Sequence, residues 1–221
     1  MHTMKSKLEV DGIAHTRLQS IPNDDDLLEI AKNFGDQFLA WEFGTIMRMG
    51  FNKNAQNYLF SNEAVPFHWD GAFYKEPRYL LFFCDESHGQ GGETLFTDTT
   101  KMLFDFDQQE LASVTMTFET EKLAHYGGKI TVPLLQSHPE KEYRILRFAE
   151  SVESQKNPVT LFMSGNSEGL YARLKQSAYK HSMAHSWQKG DLLVVDNYRF
   201  IHGRKALLNN LERRFRRIQI L

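Results

Sequence analysis

The sequence predicts a mainly β fold, a barrel or jelly roll with a few flanking helices. Two features support this prediction. Short apolar or alternating segments, separated by turn residues, recur from residue 44 to the C-terminus, which is typical of folds with many short strands. Segments with helical spacing are few. The length of 221 residues is sufficient for a substantial core, and we expect residues 1–221 to form a single domain.

The predicted helices have recognisable start signals. Acidic residues 24–26 precede apolar residues at helical spacing, and Gly35 is a suitable C-terminal stop. Asp98 and Asp107 are each placed to cap a helical turn. Residues 167–180 have apolar side chains on one helical face and predict a longer helix.

The strongest strand signal is the apolar run 79–84, which follows a proline turn and predicts a buried strand. The other predicted strands span residues 44–49, 93–96, 114–120, 130–135, 143–148, 191–196, 200–202 and 213–220.

The composition excludes several classes of protein. The net charge is −2, so no overall charge draws the chain to nucleic acid or to a membrane surface. No apolar run approaches the roughly 18–20 residues of a membrane helix, and the N-terminus has no signal-peptide core. Cys84 is the only cysteine, which excludes an internal disulfide and a thiolate zinc site. We therefore expect a cytoplasmic protein.

His68-Trp69-Asp70 is the sharpest chemical signal. In an extended segment, His68 and Asp70 point to one face and Trp69 points to the other, where we expect it to pack in the core. His202 ends a predicted apolar strand and is the best candidate for a third ligand. Two histidines and one carboxylate form the facial triad of non-haem Fe(II) oxygenases. The alternative is a surface or hydrogen-bonded pair, because the tripeptide alone has little specificity.

Four arginines lie close together near the C-terminus. On a strand, Arg213, Phe215 and Arg217 share one face, and Arg214 and Arg216 share the other. A guanidinium that enters a cavity requires a partner, and a dicarboxylic acid ligand would pair with it. The alternative is a solvated basic strand or a patch for phosphate or nucleic acid.

Three segments together resemble the taurine dioxygenase (TauD/TfdA) family of Fe(II)- and 2-oxoglutarate-dependent dioxygenases. They are Phe67–Gly71, with its His-x-Asp, Gly91–Thr99, with its Gly-Gly-Glu-Thr, and Trp187–Arg204, which contains the distal histidine. The resemblance runs from about residue 67 to residue 217. It implies a double-stranded β-helix, the cupin-like jelly roll, and it implies Fe(II), 2-oxoglutarate and dioxygen as cofactor and co-substrates.

The resemblance also implies roles for individual residues. His68, Asp70 and His202 match the iron ligands. The residues that match the co-substrate contacts are Thr94, Arg213, eleven positions after His202, and Arg217. Which of Arg213 and Arg217 holds the distal carboxylate of 2-oxoglutarate stays open.

Two further residues are candidates for substrate contact. Phe73 is placed to line the pocket entrance, or it packs in the core. Arg199 is placed to meet an acidic substrate, or it forms a salt bridge with a carboxylate. His181 and His185 are four residues apart, but the sequence lacks the glutamate of a zincin motif, and we expect structural or solvent-exposed roles for both.

The chain departs from typical members of the family in length. It is shorter before the His-x-Asp and in the central insert, which implies a smaller or more open pocket. The presence of Asp70 argues against halogenation, since family halogenases lack this ligand. The His-Trp-Asp-Gly string is similar to that of the subgroup that oxidises isonitrile derivatives of aromatic amino acids.

These observations predict a dioxygenase that hydroxylates or desaturates a small molecule and releases succinate and carbon dioxide. We expect the substrate to be an amino-acid-derived or carboxylate-bearing metabolite of a biosynthetic pathway. A non-catalytic, cupin-like metal-binding or sensing domain and a basic nucleic-acid-binding module are the alternatives. We expect no nucleic acid or membrane partner, and the oligomeric state stays open, with a homodimer among the options.

Overall fold

The computed structural model describes residues 1–40, 44–55, 57–72, 75–120, 128–153, 158–165, 168–209 and 211–221, and these residues form a mainly β structure of antiparallel strands. The predicted mainly β class is therefore confirmed. The helices are α1 (His2–Asp11), α2 (Asp24–Ala31), α3 (Thr99–Met102), α4 (Gln108–Ala112) and α5 (Leu170–Lys180). The strands are β1 (Ile13–Arg17), β2 (Ile46–Gly50), β3 (Val65–His68), β4 (Tyr79–Glu86), β5 (Thr94–Asp98), β6 (Thr115–Glu119), β7 (Lys129–Pro133), β8 (Leu135–Ser137), β9 (Arg144–Leu146), β10 (Thr160–Ser164), β11 (Ser182–His185), β12 (Asp191–Asp196), β13 (Phe200–Arg204) and β14 (Arg214–Ile220).

Two sheets contain most of the strands. The five-stranded sheet has the order β1-β12-β4-β14-β2, and the four-stranded sheet has the order β11-β5-β13-β3. Smaller sheets are formed by β10-β6-β7 and by β8-β9. Most neighbours in the two larger sheets are distant in the sequence, so side chains from both ends of the chain meet on one sheet.

The five- and four-stranded sheets share one apolar core. Leu80, Phe82 and Cys84 of β4 lie in it together with Phe96 of β5 and Phe215 of β14. The spacing of two residues along β4 follows from the pleat, which points alternate side chains to opposite faces. The shared core therefore holds one face of each sheet against the other.

The outer faces of both sheets are covered by helices. Leu81 and Phe83, the alternate residues of β4, pack in a cluster with residues of α1 and α2. The outer face of the four-stranded sheet packs against α3, α4, α5 and the smaller sheets, in a cluster that contains Trp69 and Ile201. Trp69 therefore lies in the core, as predicted. No helix within the described residues combines the length and the apolar character needed to cross a bilayer.

The helix start signals are confirmed in part. Asp98 caps α3 by accepting a hydrogen bond from the Thr100 amide, and Asp107 caps α4 in the same way. The cap of α2 is Asn23, which accepts from Asp26 N at 2.8 Å, and not one of the acidic residues that follow it. Those acidic residues occupy the first turn, where their negative charges interact favourably with the positive end of the helix dipole.

The sequence prediction missed several of the described elements, among them α1, β1, β10 and β11. The helix α1 buries only Met4 and Leu8, so its apolar periodicity is weak. The strand β11 lies at the edge of its sheet, and none of its residues is fully buried. Its short, half-exposed sequence has no clear alternation, and only its pairing with β5 makes it a strand.

Candidate active site

His68 and His202 face each other across two paired strands. His68 is the last residue of β3, His202 is the central residue of β13, and the antiparallel register places one directly opposite the other. Their ring centroids are 4.3 Å apart. Residues directly opposite in an antiparallel pair have close Cβ atoms, so the register alone brings the two imidazoles together.

Asp70 completes the group from the turn after β3. Its Oδ1 lies 3.6 Å from His68 Nε2 and 3.9 Å from His202 Nε2. One donor atom from each of the three residues lies within 4.8 Å of the other two. The predicted convergence of these three side chains is therefore present in the structure.

The turn that carries Asp70 is held by Asn197. The Asn197 carboxamide accepts from Asp70 N and donates to Asp70 O and Pro77 O, each at 2.9 Å. Gly71 follows at a φ of +110°, and a Cβ there would lie 2.6 Å from the Glu76 Cα. The turn thus requires a glycine and a buried amide, and the sequence prediction assigned no such role to Asn197.

The two carboxylate oxygens of Asp70 have different partners. Oδ2 accepts from Gln219 Nε2 at 2.6 Å and lies 3.1 Å from Arg217 Nη1. Oδ1 is directed to the two histidines. Burial raises the pKa of the Asp70 carboxyl, but Arg217, the histidines and Gln219 outweigh it, so the pKa lies below its usual value. The carboxylate is therefore ionised and available as a metal ligand.

Both imidazoles are suited to bind a metal through Nε2. His68 Nδ1 lies 2.9 Å from the Pro66 carbonyl oxygen, and a proton on Nδ1 leaves the Nε2 lone pair free. Burial lowers the pKa of His68, and burial and the neighbouring His68 lower the pKa of His202 well below its usual value. Neutral imidazoles beside an ionised carboxylate match the donor set of a divalent iron site.

A cleft that is partly open to solvent lies beside these three residues. Apolar side chains and three buried arginines share its wall. The lining residues are Met49, Leu59, Val65, His68, Phe82, Thr94, His202, Gly203, Arg204, Arg213, Phe215 and Arg217.

Arg213 is a buried cation without an acidic partner among the described residues. The residue is 6% exposed, its Nε has no hydrogen-bond partner among the described residues, and its guanidinium carbon lies 3.8 Å from the centre of the Phe215 ring. Burial and the nearby Arg204 lower the pKa of Arg213 to about 9. Because burying an unpaired charge is unfavourable, this site strongly favours an anionic ligand.

Thr94 lies on the same cleft with its hydroxyl oriented by a tryptophan. Trp187 Nε1 donates to Thr94 Oγ1 at 2.7 Å. Since the indole N–H can only donate, the threonine proton is free to point elsewhere. The hydroxyl can therefore donate a hydrogen bond into the cleft, and Trp187 sets its direction.

Arg204 is a cleft residue to which the sequence prediction gave no role. It follows His202 by two positions, so it lies on the same face of β13. Its guanidinium donates to the carbonyl oxygens of Leu59, Ser61 and Glu63 at 3.1, 2.9 and 2.7 Å. Arg204 thus ties the segment before β3 to the cleft. The spacing from His202 could have identified it.

The C-terminal arginines alternate as predicted but do not form a basic surface. Arg213 and Arg217 line the cleft, and Arg216 is buried on the other face of β14. Arg216 makes ion pairs with Asp85 and Asp24. Only Arg214 of this group is exposed, so three of the four charges are committed to the interior.

The two predicted substrate contacts are placed differently. Phe73 lies outside the residues that the structure describes. Arg199 binds both carboxylate oxygens of Asp98 and donates to Val10 O at 2.8 Å, and it does not line the cleft. Its guanidinium therefore joins α1 to β5, which corresponds to the salt-bridge alternative.

His181 and His185 belong to different elements. His181 caps the end of α5 and lies 2.9 Å from Asp105 Oδ2. His185 ends β11, where its ring packs edge-on against Trp187. They cannot act as a pair on one helix turn.

Replacement of Asn197 tests the description of the Asp70 turn. Asn197→Ala removes the partners of one buried amide and two carbonyl groups, so we expect the free energy of unfolding to fall by about 2–4 kcal/mol. Asn62→Ala, at an exposed position, is the matched control and should change it by less than about 0.5 kcal/mol. Urea denaturation measures both values. Equal free energies of unfolding for the two variants would show that the Asn197 hydrogen bonds do not hold the Asp70 turn.

Comparison with known proteins agrees with this geometry. The family model described as "Taurine catabolism dioxygenase TauD, TfdA family" matches residues 2–219. A curated relative from Fischerella ambigua (strain UTEX 1903), "3-((Z)-2-isocyanoethenyl)-1H-indole synthase", is 37% identical over 91% of this chain and 79% of its own length. The "Tyrosine isonitrile desaturase" of Pseudomonas aeruginosa is 31% identical over 89% of this chain and 72% of its own length.

Solved structures show the same similarity. The crystal structure of PvcB from Pseudomonas aeruginosa has a TM-score of 0.79 and 25% identity, and the match covers 99% of this chain and 79% of PvcB. A second structure of PvcB, described as "an Fe, alpha-ketoglutarate dependent oxygenase from an isonitrile synthetic pathway", has a TM-score of 0.77. The chain therefore belongs to the TauD/TfdA family and is an Fe(II)- and 2-oxoglutarate-dependent oxygenase.

Proposed function

We propose that this oxygenase desaturates or hydroxylates an isonitrile derived from an aromatic amino acid, with His68, Asp70 and His202 as the iron ligands. The observation that supports the oxygenase site most strongly is Arg213, a buried guanidinium in the cleft beside these three residues that has no acidic partner among the residues the structure describes. Fe(II), when bound, supplies the activation of dioxygen, coupled to the conversion of 2-oxoglutarate to succinate and carbon dioxide.

Arg213 holds the distal carboxylate of 2-oxoglutarate in this proposal. A guanidinium binds a carboxylate through two parallel hydrogen bonds, and the buried position of Arg213 excludes competing water. Thr94 donates its hydroxyl proton to the same carboxylate, oriented by Trp187. These two contacts fix the far end of the co-substrate, so its keto acid end is directed toward the three ligands.

Arg217 has a different task. Its Nη1 lies 3.1 Å from Asp70 Oδ2, so it neutralises the carboxylate and, with Gln219, keeps Oδ1 turned toward the histidines. We therefore assign the tail of 2-oxoglutarate to Arg213 and the orientation of Asp70 to Arg217.

The substrate class rests on the relatives and on the cleft wall. Two curated relatives are named for isonitrile chemistry, one as an isocyanoethenyl-indole synthase and one as a tyrosine isonitrile desaturase. Met49, Leu59 and Phe82 give the cleft an apolar side, which suits an aromatic ring. Desaturation is favoured by the second name, and hydroxylation is the alternative outcome at the same carbon.

A non-catalytic metal-binding or sensing domain is the competing function. Such a domain needs the three ligands but has no use for a guanidinium without an acidic partner among the described residues, or for an oriented hydroxyl, beside them.

We also propose that the two larger sheets form the double-stranded β-helix and that residues 1–221 are one domain. The core shared by both sheets supports this proposal.

Turnover of a defined isonitrile tests the proposed function. Iron-loaded protein, 2-oxoglutarate and oxygen are incubated with the isonitriles made from tyrosine and from tryptophan, and succinate and products are measured by mass spectrometry. We expect succinate release that depends on the isonitrile, with a product lighter by two hydrogens. The parent amino acids serve as controls. Succinate formation at the same slow rate with every compound would contradict the substrate assignment.

Arg213→Ala tests the co-substrate site. Loss of a charged hydrogen bond costs about 1.5–3 kcal/mol, so we expect the dissociation constant of 2-oxoglutarate to rise about 10- to 150-fold. Arg214→Ala removes an exposed arginine next to it on the chain and should leave the constant unchanged. Anaerobic calorimetry in the presence of Fe(II) measures both. Similar constants for the two variants would remove Arg213 from this role.

A further inference from the structure

A second group of histidine and aspartate side chains shares no residue with the candidate active site. It consists of His15, His185 and Asp191, whose donor atoms all lie within 4.8 Å of one another. His15 is in β1 and Asp191 begins β12, both in the five-stranded sheet, whereas His185 ends β11 in the four-stranded sheet. The group therefore joins the two sheets that enclose the main core.

The distances in this group fit a small metal ion. His15 Nε2 lies 3.0 Å from Asp191 Oδ1, and His185 Nε2 lies 3.3 Å from Asp191 Oδ2. A tetrahedral zinc site with bonds of about 2.0–2.1 Å has ligand atoms about 3.3–3.4 Å apart. Each of the two histidine–carboxylate distances is thus near the separation that such an ion requires, and the two imidazole donors lie within 4.8 Å of one another.

His185 supplies an independent indication of a ligand. Its Nε2 is buried and makes no hydrogen bond of acceptable geometry with any described residue. Burial and the neighbouring His15 lower the pKa of His185, so the imidazole is neutral and has a lone pair to offer. Its contact with Asp191 Oδ2 is long, at 3.3 Å, and a metal ion between the two atoms would give this buried nitrogen a well-directed partner.

Asp191 is prepared as an ionised ligand. Its carboxylate is fully buried, and it accepts from Arg17 Nε at 2.7 Å and from the Gln188 amide at 2.8 Å. Burial opposes ionisation, but these hydrogen bonds outweigh it and hold the pKa below its usual value. The Arg17 side chain is 48% exposed, so water screens the repulsion between its charge and a bound cation.

We propose that His15, His185 and Asp191 form a second metal site, for a divalent ion such as Zn²⁺ or Co²⁺ with water as the fourth ligand. Two imidazoles and one carboxylate are ligands that such ions accept. The bound ion would cross-link the two large sheets. Because the ring of His185 packs 4.4 Å from that of Trp187, which donates to Thr94, the ion would also brace the wall of the co-substrate cleft.

The test separates this site from the iron site. His68→Ala/His202→Ala removes two of the three proposed iron ligands, and chelator-treated protein of this variant is titrated with Co²⁺. We expect one equivalent to bind, with the intense visible absorption of four-coordinate cobalt. Adding His15→Gln and His185→Gln should abolish this absorption. His181→Gln, which changes a histidine paired with Asp105, is the control and should retain it.

Thermal unfolding gives a second readout that does not need the additional substitutions. Zn²⁺ at about 100 times its dissociation constant should raise the melting temperature of His68→Ala/His202→Ala by about 5–10 °C. If this folded variant binds no Co²⁺ and shows no shift with Zn²⁺, the proposal is wrong. Retention of the cobalt absorption after loss of His15 and His185 would place the ion elsewhere and would also overturn it.

Discussion

The pairing register of β13 with its neighbours determines the arrangement of the active site. The strand β13 lies between β3 and β5. Its pairing with β3 places His202 opposite His68, and its pairing with β5 places Arg204 opposite Thr94. A slip of one residue would turn the imidazole of His202 to the outer face, where Ile201 now packs against the helices. The core between the sheets prevents this slip, because it buries Phe200 and Phe96 on the inner face.

One charged side chain of the site has no counter-ion among the residues that the structure describes. Asp70 is paired with Arg217, and Arg216 is paired with Asp85 and Asp24, but Arg213 has no acidic partner among the described residues. Such a group lowers the stability of the protein without its ligand. A dicarboxylate that binds there relieves the unfavourable burial, so binding and stability are coupled. The same arrangement selects for a co-substrate with a carboxylate at its far end.

Strand alternation predicted which side chains of this site share a face, and the family resemblance implied the roles of Thr94, Arg213 and Arg217. Alternation placed His68 and Asp70 on one side, Trp69 in the core, and Arg213 and Arg217 on a common face. The strand β12 has the predicted limits, Asp191–Asp196, because a continuous run of buried aliphatic residues has clear ends.

The contacts that refine the site were not predictable in this way. The hydrogen bonds of Asn197 to the Asp70 turn and of Gln219 to the Asp70 carboxylate span 127 and 149 residues. The group of His15, His185 and Asp191 likewise forms only when β1, β11 and β12 assemble. Neither propensity nor periodicity contains this information, since both are local. For the same reason, the sequence could not decide between a substrate contact and a salt bridge for Arg199, because its partner Asp98 lies 101 residues away.

Anaerobic titration of the chelator-treated protein with Fe(II) in the presence of 2-oxoglutarate tests the central claim most directly. Convergence of His68, Asp70 and His202 on one iron predicts a visible charge-transfer band that saturates at one equivalent of Fe(II). The band should be absent in a folded His202→Ala variant, whose remaining ligands come only from the segment around β3. A wild-type protein without the band, or a His202→Ala variant that retains it at full intensity, would contradict the account.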